Sequence, residues 1–317
     1  MKIVITGGAG FIGSHLAERL CPRHEVVVID NLSSGSMENL AGLKGRIRFA
    51  RADITCPGAL APHFLGADAV LHLAALTSVG ESVKNPQPTL KTNVEGTRNV
   101  LEQARKSDVG RVVLASSASV YGDASRQPVA EDDPLAPMSP YAESKMVNEL
   151  DAREYFERYG LKTISLRYFN VYGPRQRPDS DYAPVIPKFI SSMTSGRRPV
   201  IYGDGRQSRD FIFVRDVAGA NEKALAARKG FGEAFNIASG KSVSILELYR
   251  AIAREIGFSA PPRFGPARKG DIRKSEASIG KAKAVLGFSP STGLKDGLKE
   301  TARWFAGRTD AEKSGLE

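Results

Sequence analysis

Short runs of β-branched and other apolar residues alternate with longer helical patterns over the first two-thirds of this 317-residue chain. The runs contain Val and Ile with little polar alternation, which is typical of strands that are covered on both faces. This alternation of strand and helix predicts an α/β fold built on a doubly wound parallel sheet. We expect strands at residues 2–6, 25–30, 47–51, 69–73, 111–116 and 162–167, and helices at residues 13–20, 94–107 and 141–159.

The character of the chain changes after Asn170. Proline and glycine interrupt residues 173–205, shorter elements follow, and a final helix is expected at residues 294–305. These changes predict a second, smaller domain of mixed α/β structure. The predicted division is residues 1–170 for the first domain, with some segments after about residue 216 returning to it, residues 171–306 mainly for the second domain, and residues 307–317 for a polar, frayed tail.

The composition excludes several classes of protein. A hydrophobic fraction of 41% with 25% charged residues is ordinary for a globular chain. No apolar run reaches the roughly 18 residues of a membrane span or resembles a signal peptide, so we expect a soluble, cytoplasmic protein without a membrane partner. Cys21 and Cys56 are expected to be reduced thiols, and no Cys/His cluster has the spacing of a metal site. The net charge of +10, from 45 basic and 35 acidic side chains, indicates an anionic ligand or partner.

A glycine-rich segment, Gly7-Gly8-Ala9-Gly10-Phe11-Ile12-Gly13, lies between the first predicted strand and the first predicted helix. Gly8, Gly10 and Gly13 satisfy the pattern G-x-G-x-x-G, in which glycines let the backbone approach a pyrophosphate at the helix N-terminus. Asp30 closes the second strand, where a carboxylate would bind the adenosine ribose and repel the extra phosphate of NADP. The segment therefore predicts a Rossmann-type domain with NAD as its cofactor.

A tyrosine and a lysine, Tyr141 and Lys145, are four residues apart on a helix that Ser139-Pro140 opens. They therefore share one helix face, and the nearby ammonium would lower the pKa of the tyrosine from about 10 toward neutrality, so that it can act as a base. Such a spacing by itself usually marks a solvated helix face. Here the preceding strand ends in serines, including Ser117, at the sheet edge that faces a ligand crevice. This placement favours a catalytic pair.

Four segments occur in a characteristic order: T-G-G-A-G-F-I-G, S-S-A-S-V-Y-G, Y-x-x-x-K and L-R-Y-F-N-V-Y-G-P-R. Over about residues 1–305 the chain resembles the extended short-chain dehydrogenase/reductase family, in its NAD-dependent nucleotide-sugar epimerase/dehydratase branch. The resemblance implies that Ser117 and Tyr141 contact the sugar O4 and that Lys145 bonds the nicotinamide ribose. The expected NAD site comprises Gly7, Gly10, Phe11, Ile12, Gly13, Asp30, Asn31, Asp53, Ile54, Leu73, Ala74, Ala75, Tyr141, Lys145 and Tyr168. Asp53 is equally well explained as a simple turn residue.

The residues after Ser117 bear on the type of reaction. Nucleotide-sugar dehydratases of this branch carry an acidic pair just before the V-Y-G, and UDP-glucuronate decarboxylases carry a glutamate there. This chain has Ala118 and Ser119 at that place. The resemblance therefore implies an enzyme that only moves a hydride, which is a 4-epimerase.

The same resemblance places a UDP-sugar substrate against the second domain. Its expected contacts are Thr77, Ser117, Asn170, Val185, Tyr202, Arg209, Arg268, Asp271 and Ser275. Arginine suits the diphosphate because its planar fork donates two hydrogen bonds at once. Ser275 and Thr77 stand where glucose-restricted bacterial epimerases carry a large tyrosine and a lysine, so the resemblance implies room for an N-acetyl group. The implied substrates are UDP-GlcNAc/UDP-GalNAc and UDP-Glc/UDP-Gal.

Three alternatives stay open at this point. UDP-glucuronate 4-epimerases share the run G-P-R-Q-R-P-D at residues 173–179, but they tend to carry threonine in place of Asn170. A catalytically dead NAD-binding module would have lost a member of the Y-x-x-x-K pair, and both are present. A nucleic-acid binder would need a basic stripe interleaved with aromatic residues, so no nucleic-acid partner is expected. The resemblance also implies a homodimer formed through helices at about residues 88–107 and 141–159.

Overall fold

The computed structural model describes residues 1–177, 184–267 and 272–314, and strands alternate with helices over the first half of the chain. The strands are β1 (Lys2–Thr6), β2 (Glu25–Asp30), β3 (Arg48–Arg51), β4 (Ala69–His72), β5 (Arg111–Ser117), β6 (Lys162–Tyr168), β7 (Asn170–Tyr172), β8 (Val200–Tyr202), β9 (Ser208–Phe213), β10 (Glu233–Ile237), β11 (Ser242–Ser244), β12 (Arg263–Gly265) and β13 (Lys274–Ser275). The helices are α1 (Phe11–Leu20), α2 (Pro57–Phe64), α3 (Val79–Lys84), α4 (Pro86–Leu90), α5 (Gly96–Lys106), α6 (Pro140–Tyr159), α7 (Val185–Thr194), α8 (Val214–Ala226), α9 (Ile245–Ile256), α10 (Gly280–Leu286) and α11 (Leu294–Ser314). Short 3₁₀ helices lie at Met37–Leu43 and Ala118–Tyr121, and a π-helical turn lies at Lys91–Glu95.

Seven strands form a wholly parallel sheet in the order β10-β6-β5-β4-β1-β2-β3. The central strands are rich in Val and Ile because helices cover the sheet on both faces. Within the sheet, Val4 of β1 pairs with Val27 of β2 on one side and with Val70 of β4 on the other. The strand order reverses between β1 and β4, and ligands of doubly wound sheets bind in the crevice at such a switch point. The predicted Rossmann-type sheet is therefore confirmed.

Two apolar layers hold the helices against this sheet. Leu16 and Leu20 of α1 lie in the layer on one face, and Phe64 of α2 and Leu101 of α5 lie in the layer on the other. All four side chains are fully buried. Burial of each side chain of this size contributes about 1.5–3 kcal/mol to folding, so both layers fix the strand ends in space. The carboxyl ends of β1, β4, β5 and β6 consequently meet at one edge of the sheet.

A second group of elements packs beyond that edge. β7 leaves the large sheet and pairs with β9, which also pairs with β11 and β13, while β8 pairs with β12. Helices α7, α9 and α11 enclose an apolar core here that includes Tyr172, Phe213 and Leu248. β10 follows residue 216 in the chain but belongs to the large sheet. The division of the chain into two domains stays a prediction.

The observed elements differ from the sequence-based bounds mainly at their ends. α6 begins at Pro140 because the Ser139 hydroxyl caps it by accepting the N–H of Ala142. The final helix continues to Ser314 instead of ending near residue 305 in a frayed tail. The residues after Phe305 include Ala, Lys, Arg and Glu, which favour helix, so Gly307 does not end it. Within the described part of the chain, no helix combines the length and apolar character that a bilayer span requires.

Candidate active site

One large cleft of about 1720 Å³ lies between the carboxyl edge of the seven-stranded sheet and the second group of elements. Its walls bring together residues that are far apart in sequence. Every predicted site residue within the described ranges lines it, except Asp53. Arg268 and Asp271 lie outside the described residues. The predicted cofactor and substrate residues thus share a single continuous space.

The glycine-rich turn after β1 forms the end of the cleft at the first helix. Gly7 has a φ of +69°, a conformation that favours glycine, and its N–H donates to the carbonyl of Ile29 at 2.8 Å. A Cβ on Gly13 would lie 2.2 Å from the Gly7 carbonyl oxygen, so only glycine fits there. Gly8 does not line the cleft, because it packs beneath Val28. The glycines of this turn that line the cleft are therefore Gly7, Gly10 and Gly13, which differ by one residue from the expected set of Gly8, Gly10 and Gly13.

Two carboxylates follow the neighbouring strands β2 and β3. Asp30 accepts hydrogen bonds from the backbone N–H groups of Ala9 and Leu32 at 3.0 and 2.8 Å, so its orientation beside the glycine turn is fixed. Asp53 instead accepts from the side chain of Asn31 and from Thr55. Burial opposes ionisation of Asp53, but these hydrogen bonds outweigh it and lower its pKa. Asp53 therefore braces the turn that presents Ile54 and Asn31 to the cleft.

The segment after β4 supplies the middle of the cleft wall. Leu73, Ala74 and Ala75 line it, and Thr77 stands at an exposed position farther along. His72 lies behind this wall, with its ring nitrogens 2.7 and 2.8 Å from the hydroxyls of Thr6 and Thr97. Burial, and secondarily the charge of Lys145, lowers the pKa of His72 to about 3, so the ring is neutral and structural.

Ser117, Tyr141 and Lys145 meet at the floor of the cleft. The Tyr141 hydroxyl shares a hydrogen bond with Ser117, at the end of β5. The Lys145 ammonium lies 6.0 Å from the centre of the Tyr141 ring and donates to the carbonyl of Ala115 at 2.9 Å. Ser117 in turn accepts the N–H of Ser119, whose hydroxyl lies 3.0 Å from it. The structure thus brings together the three residues expected to be catalytic.

The electrostatics of this trio differ from the expectation in one respect. Burial raises the pKa of Tyr141, although the hydrogen bond from Ser117 opposes the change. Burial lowers the pKa of Lys145 to about 8, while Glu149 raises it. The Lys145 ammonium donates to the Ala115 carbonyl and not to the phenol, so in the protein chain alone burial dominates the pKa of Tyr141. A lowered value requires further positive charge beside the tyrosine.

The opposite wall of the cleft carries the predicted substrate residues. Asn170 is held by a hydrogen bond from its side-chain amide to the carbonyl of Asp210. One terminal nitrogen of Arg209 donates to the carbonyls of Ser208 and Ile272 at 2.9 and 2.6 Å, which fixes the guanidinium at the cleft. The other described residues of this wall are Val185 at the start of α7, Tyr202 on β8 and Ser275 on β13, and Tyr168 lies at the end of β6.

Sequence reasoning missed two residues beside the glycine turn. Arg175 adopts a φ of +69° and reaches across to α1, where it pairs with Glu18 at 2.6 Å and lies 3.4 Å from the Ser14 hydroxyl. Gln176 is buried, lines the cleft and donates to the carbonyl of Val171. Their position after β7 becomes clear only when the second group of elements folds back over α1. The run G-P-R-Q that contains them was the available sequence signal.

Comparisons with known proteins agree with this architecture. The sequence model of the NAD dependent epimerase/dehydratase family matches residues 3–238. UDP-glucose 4-epimerase of Mycolicibacterium smegmatis is 39% identical over 316 residues, which cover 98% of this chain and 100% of that protein. The UDP-N-acetylglucosamine 4-epimerase from Methanobrevibacter ruminantium, solved with UDP-N-acetylmuramic acid, is 38% identical with a TM-score of 0.92, covering 97% of this chain and 98% of that one. The UDP-glucose 4-epimerase from Thermotoga maritima, solved with UDP-glucose, is 38% identical with a TM-score of 0.93, covering 98% and 100%.

Proposed function

Because the chain belongs to the NAD dependent epimerase/dehydratase family, we propose that it is a UDP-hexose 4-epimerase acting on UDP-GlcNAc/UDP-GalNAc and on UDP-Glc/UDP-Gal. The observation that carries the proposal is the meeting of Ser117, Tyr141 and Lys145 at the floor of a cleft large enough for two nucleotides. The relatives named above are 4-epimerases, which supports the reaction type.

The residues at the glycine turn fit NAD. The backbone at Gly7 and Gly13 leaves no room for a Cβ, which lets a pyrophosphate approach the start of α1. The fixed carboxylate of Asp30 is suited to the ribose hydroxyls of NAD and disfavours a phosphate at the same place. When bound, NAD supplies an acceptor and then a donor of hydride, and its positively charged nicotinamide is a source of the charge that Tyr141 lacks.

In the proposed reaction, Tyr141 as phenolate takes the proton of the sugar O4, and bound NAD would accept the C4 hydrogen as a hydride. Ser117 donates a hydrogen bond to the same oxygen, and Lys145 stabilises the phenolate form of Tyr141. The resulting 4-keto sugar would turn within the cleft and take the hydride back on its other face, and Tyr141 returns the proton to O4. Substrate and product are isomers, and NAD is regenerated.

The residues next to Ser117 limit this chemistry to hydride movement. Ala118 carries no functional group, and Ser119 contacts Ser117. Neither can serve as the acid or base that elimination or decarboxylase chemistry requires at this place. This absence of a carboxylate favours epimerisation over dehydration.

The substrate contacts are likewise proposed. Arg209, Val185 and Tyr202 are assigned from their position in the cleft, and Arg268 and Asp271, which lie outside the described residues, are assigned from the family resemblance. We assign the diphosphate to Arg209 and Arg268, and the uridine and its ribose to Val185, Tyr202 and Asp271. Ser275 is small, half-buried and faces the cleft, so it leaves room for an N-acetyl group at the sugar C2.

The experiment is to measure turnover on both sugar pairs with purified protein. We expect UDP-GlcNAc to be converted to UDP-GalNAc and UDP-Glc to UDP-Gal. Absence of conversion of the N-acetylated pair would overturn the assignment of Ser275, while conversion of UDP-Glc would still support the reaction type. Ser275→Tyr is the matched variant, since a large side chain there should suppress the N-acetylated pair selectively.

A second candidate, a UDP-glucuronate 4-epimerase, is favoured by Arg175 and Arg177, which both line the cleft and could balance a sugar carboxylate. Arg175 already pairs with Glu18, which reduces the charge it can offer a substrate. Incubation with UDP-glucuronate, followed by analysis for UDP-galacturonate, distinguishes the two functions.

We also propose that the enzyme is a homodimer formed through α5 and α6. Leu150 of α6 is a large apolar side chain that is 57% exposed, and a partner helix would cover it. Light scattering should give twice the mass of the chain, and a monomer at micromolar concentration would contradict this interface.

A further inference from the structure

A row of contacts joins α6 to the end of β5 beneath the cleft. Three residues of α6, each four apart in sequence, meet three consecutive residues of β5. The pairs are Tyr141 with Ser117, Lys145 with Ala115 and Glu149 with Ser116. The first two pairs belong to the proposed catalytic trio, and the third lies one helical turn deeper in the protein. Neither member of that third pair has a role in the mechanism above.

Glu149 belongs to a buried polar network. One of its oxygens accepts from the Ser116 hydroxyl and from Arg167 Nε at 2.9 Å, and the other accepts from Arg167 Nη2 at 2.7 Å. The Glu149 and Arg167 side chains are only 9% and 6% exposed. Arg167 Nη1 also donates to the Tyr121 hydroxyl at 2.7 Å, and Tyr121 donates to Asn236. The position of the carboxylate is therefore fixed from three directions.

The charged groups around Lys145 come from few elements. On its own helix, Glu149 is the carboxylate whose charge raises the pKa of the lysine, against burial, which lowers it. Across the sheet, β6 contributes the cation Arg167 and β4 contributes the neutral ring of His72. β5 contributes a carbonyl and hydroxyls without net charge. Glu149 thus supplies the negative charge that favours the ammonium form of Lys145, and it is itself paired with Arg167.

We propose that Glu149 is a positioning residue for the reaction, which holds Lys145 in its charged form and in register with Tyr141 while Arg167 and Ser116 hold Glu149 itself. The inference rests on the proposed function, because only the ammonium form of Lys145 stabilises the phenolate of Tyr141.

The test is the pH dependence of kcat in Glu149→Gln. The amide keeps the size and an acceptor for Ser116 but removes the negative charge, so Lys145 loses its proton at lower pH. We expect the alkaline limb of the kcat profile to move down by about one pH unit or more, with a loss of about fivefold or more at pH 8 and a smaller loss at pH 6. KM for the UDP-sugar should change little.

Arg167→Gln provides the opposite perturbation. It leaves the carboxylate beside Lys145 without its cation, so the alkaline limb should move up, and the double variant with both glutamines should return toward the wild-type limb. If the Glu149–Arg167 ion pair were purely structural, its loss would lower the stability of all three variants, and the alkaline limb would not move in opposite directions in the two single variants. Glu25→Gln is the matched control, since this exposed glutamate at the start of β2 pairs with Arg48 and does not line the cleft, and it should leave the profile unchanged.

Circular dichroism and the melting temperature establish that each variant is folded. The proposal is overturned if folded Glu149→Gln keeps the wild-type alkaline limb, or if it and Arg167→Gln shift the limb in the same direction. If Glu149→Gln does not fold, Arg167→Gln is sufficient as the test, and the proposal is overturned if the alkaline limb of its kcat profile stays at the wild-type position. Tyr141→Phe is measured in parallel, because its retained activity would refute the proposed function rather than the role of Glu149.

Discussion

Replacement of Gly13 by alanine tests the cofactor site through a single methyl group. The added Cβ would lie 2.2 Å from the carbonyl oxygen of Gly7 and 2.7 Å from the Cα of Gly8, and both are backbone atoms that cannot rotate away. Ordinary contact begins near 3.4 Å, so the glycine turn must shift by about 1 Å. Overpacking of this kind costs about 1–3 kcal/mol, which lowers the melting temperature of a chain of this length by about 2–5 °C.

The same shift should also weaken NAD binding. Loss of one backbone hydrogen bond to a charged phosphate costs about 1.5–3 kcal/mol, which corresponds to about 10–100-fold in affinity. Calorimetric titration of NAD into nucleotide-free protein measures this change. Gly58→Ala on α2, where an added Cβ meets nothing within 4 Å, is the control and should leave NAD affinity unchanged. Gly13→Ala with wild-type affinity and melting temperature would refute the reasoning.

Two further predictions concern charges at the site. Asp30→Asn removes the charge that disfavours a ribose phosphate, so the preference for NAD over NADP in binding titrations should fall by about tenfold or more. An unchanged preference would contradict the role of Asp30. Burial lowers the pKa of Lys145 from 10.5 to about 8. Between pH 8 and pH 10.5 the folded state therefore binds fewer protons than the unfolded state. The cost of burying the ammonium is greatest below pH 8 and disappears above pH 10.5. Lys145→Met should abolish turnover because the ammonium is lost. It should also raise the free energy of unfolding at pH 7 by about 2–3 kcal/mol, and this difference should disappear near pH 10.5. A variant that is less stable than the wild type in urea titrations at pH 7 would contradict this prediction.

The sheet could be predicted from sequence because its strands are buried on both faces. Runs such as Val26–Ile29 have no polar alternation, and a segment of that composition satisfies its burial only inside a covered parallel sheet. The glycine turn was also predictable, but its register was not. Whether Gly7 or Gly8 faces the ligand depends on Val28, a residue of the neighbouring strand, and local sequence does not contain that contact.

The candidate site was predictable where a motif fixes several residues at once. The spacing of Tyr141 and Lys145 places them on one helix face, and the serine at the strand end follows from parallel topology. The pKa of Tyr141 could not be derived in the same way. Spacing shows that the lysine is near, but burial and the Ala115 carbonyl, which accepts from the ammonium, are properties of the folded chain.

The central claim is that a hydride leaves C4 and returns to its other face while Tyr141 handles the O4 proton. The most direct measurement is proton NMR of UDP-Glc or UDP-GlcNAc incubated with the enzyme in D2O. The account predicts inversion at C4 with the original hydrogen retained there, and a loss of turnover of about 10²–10⁴-fold in Tyr141→Phe. Deuterium at C4 of the product, or full turnover without the Tyr141 hydroxyl, would contradict it.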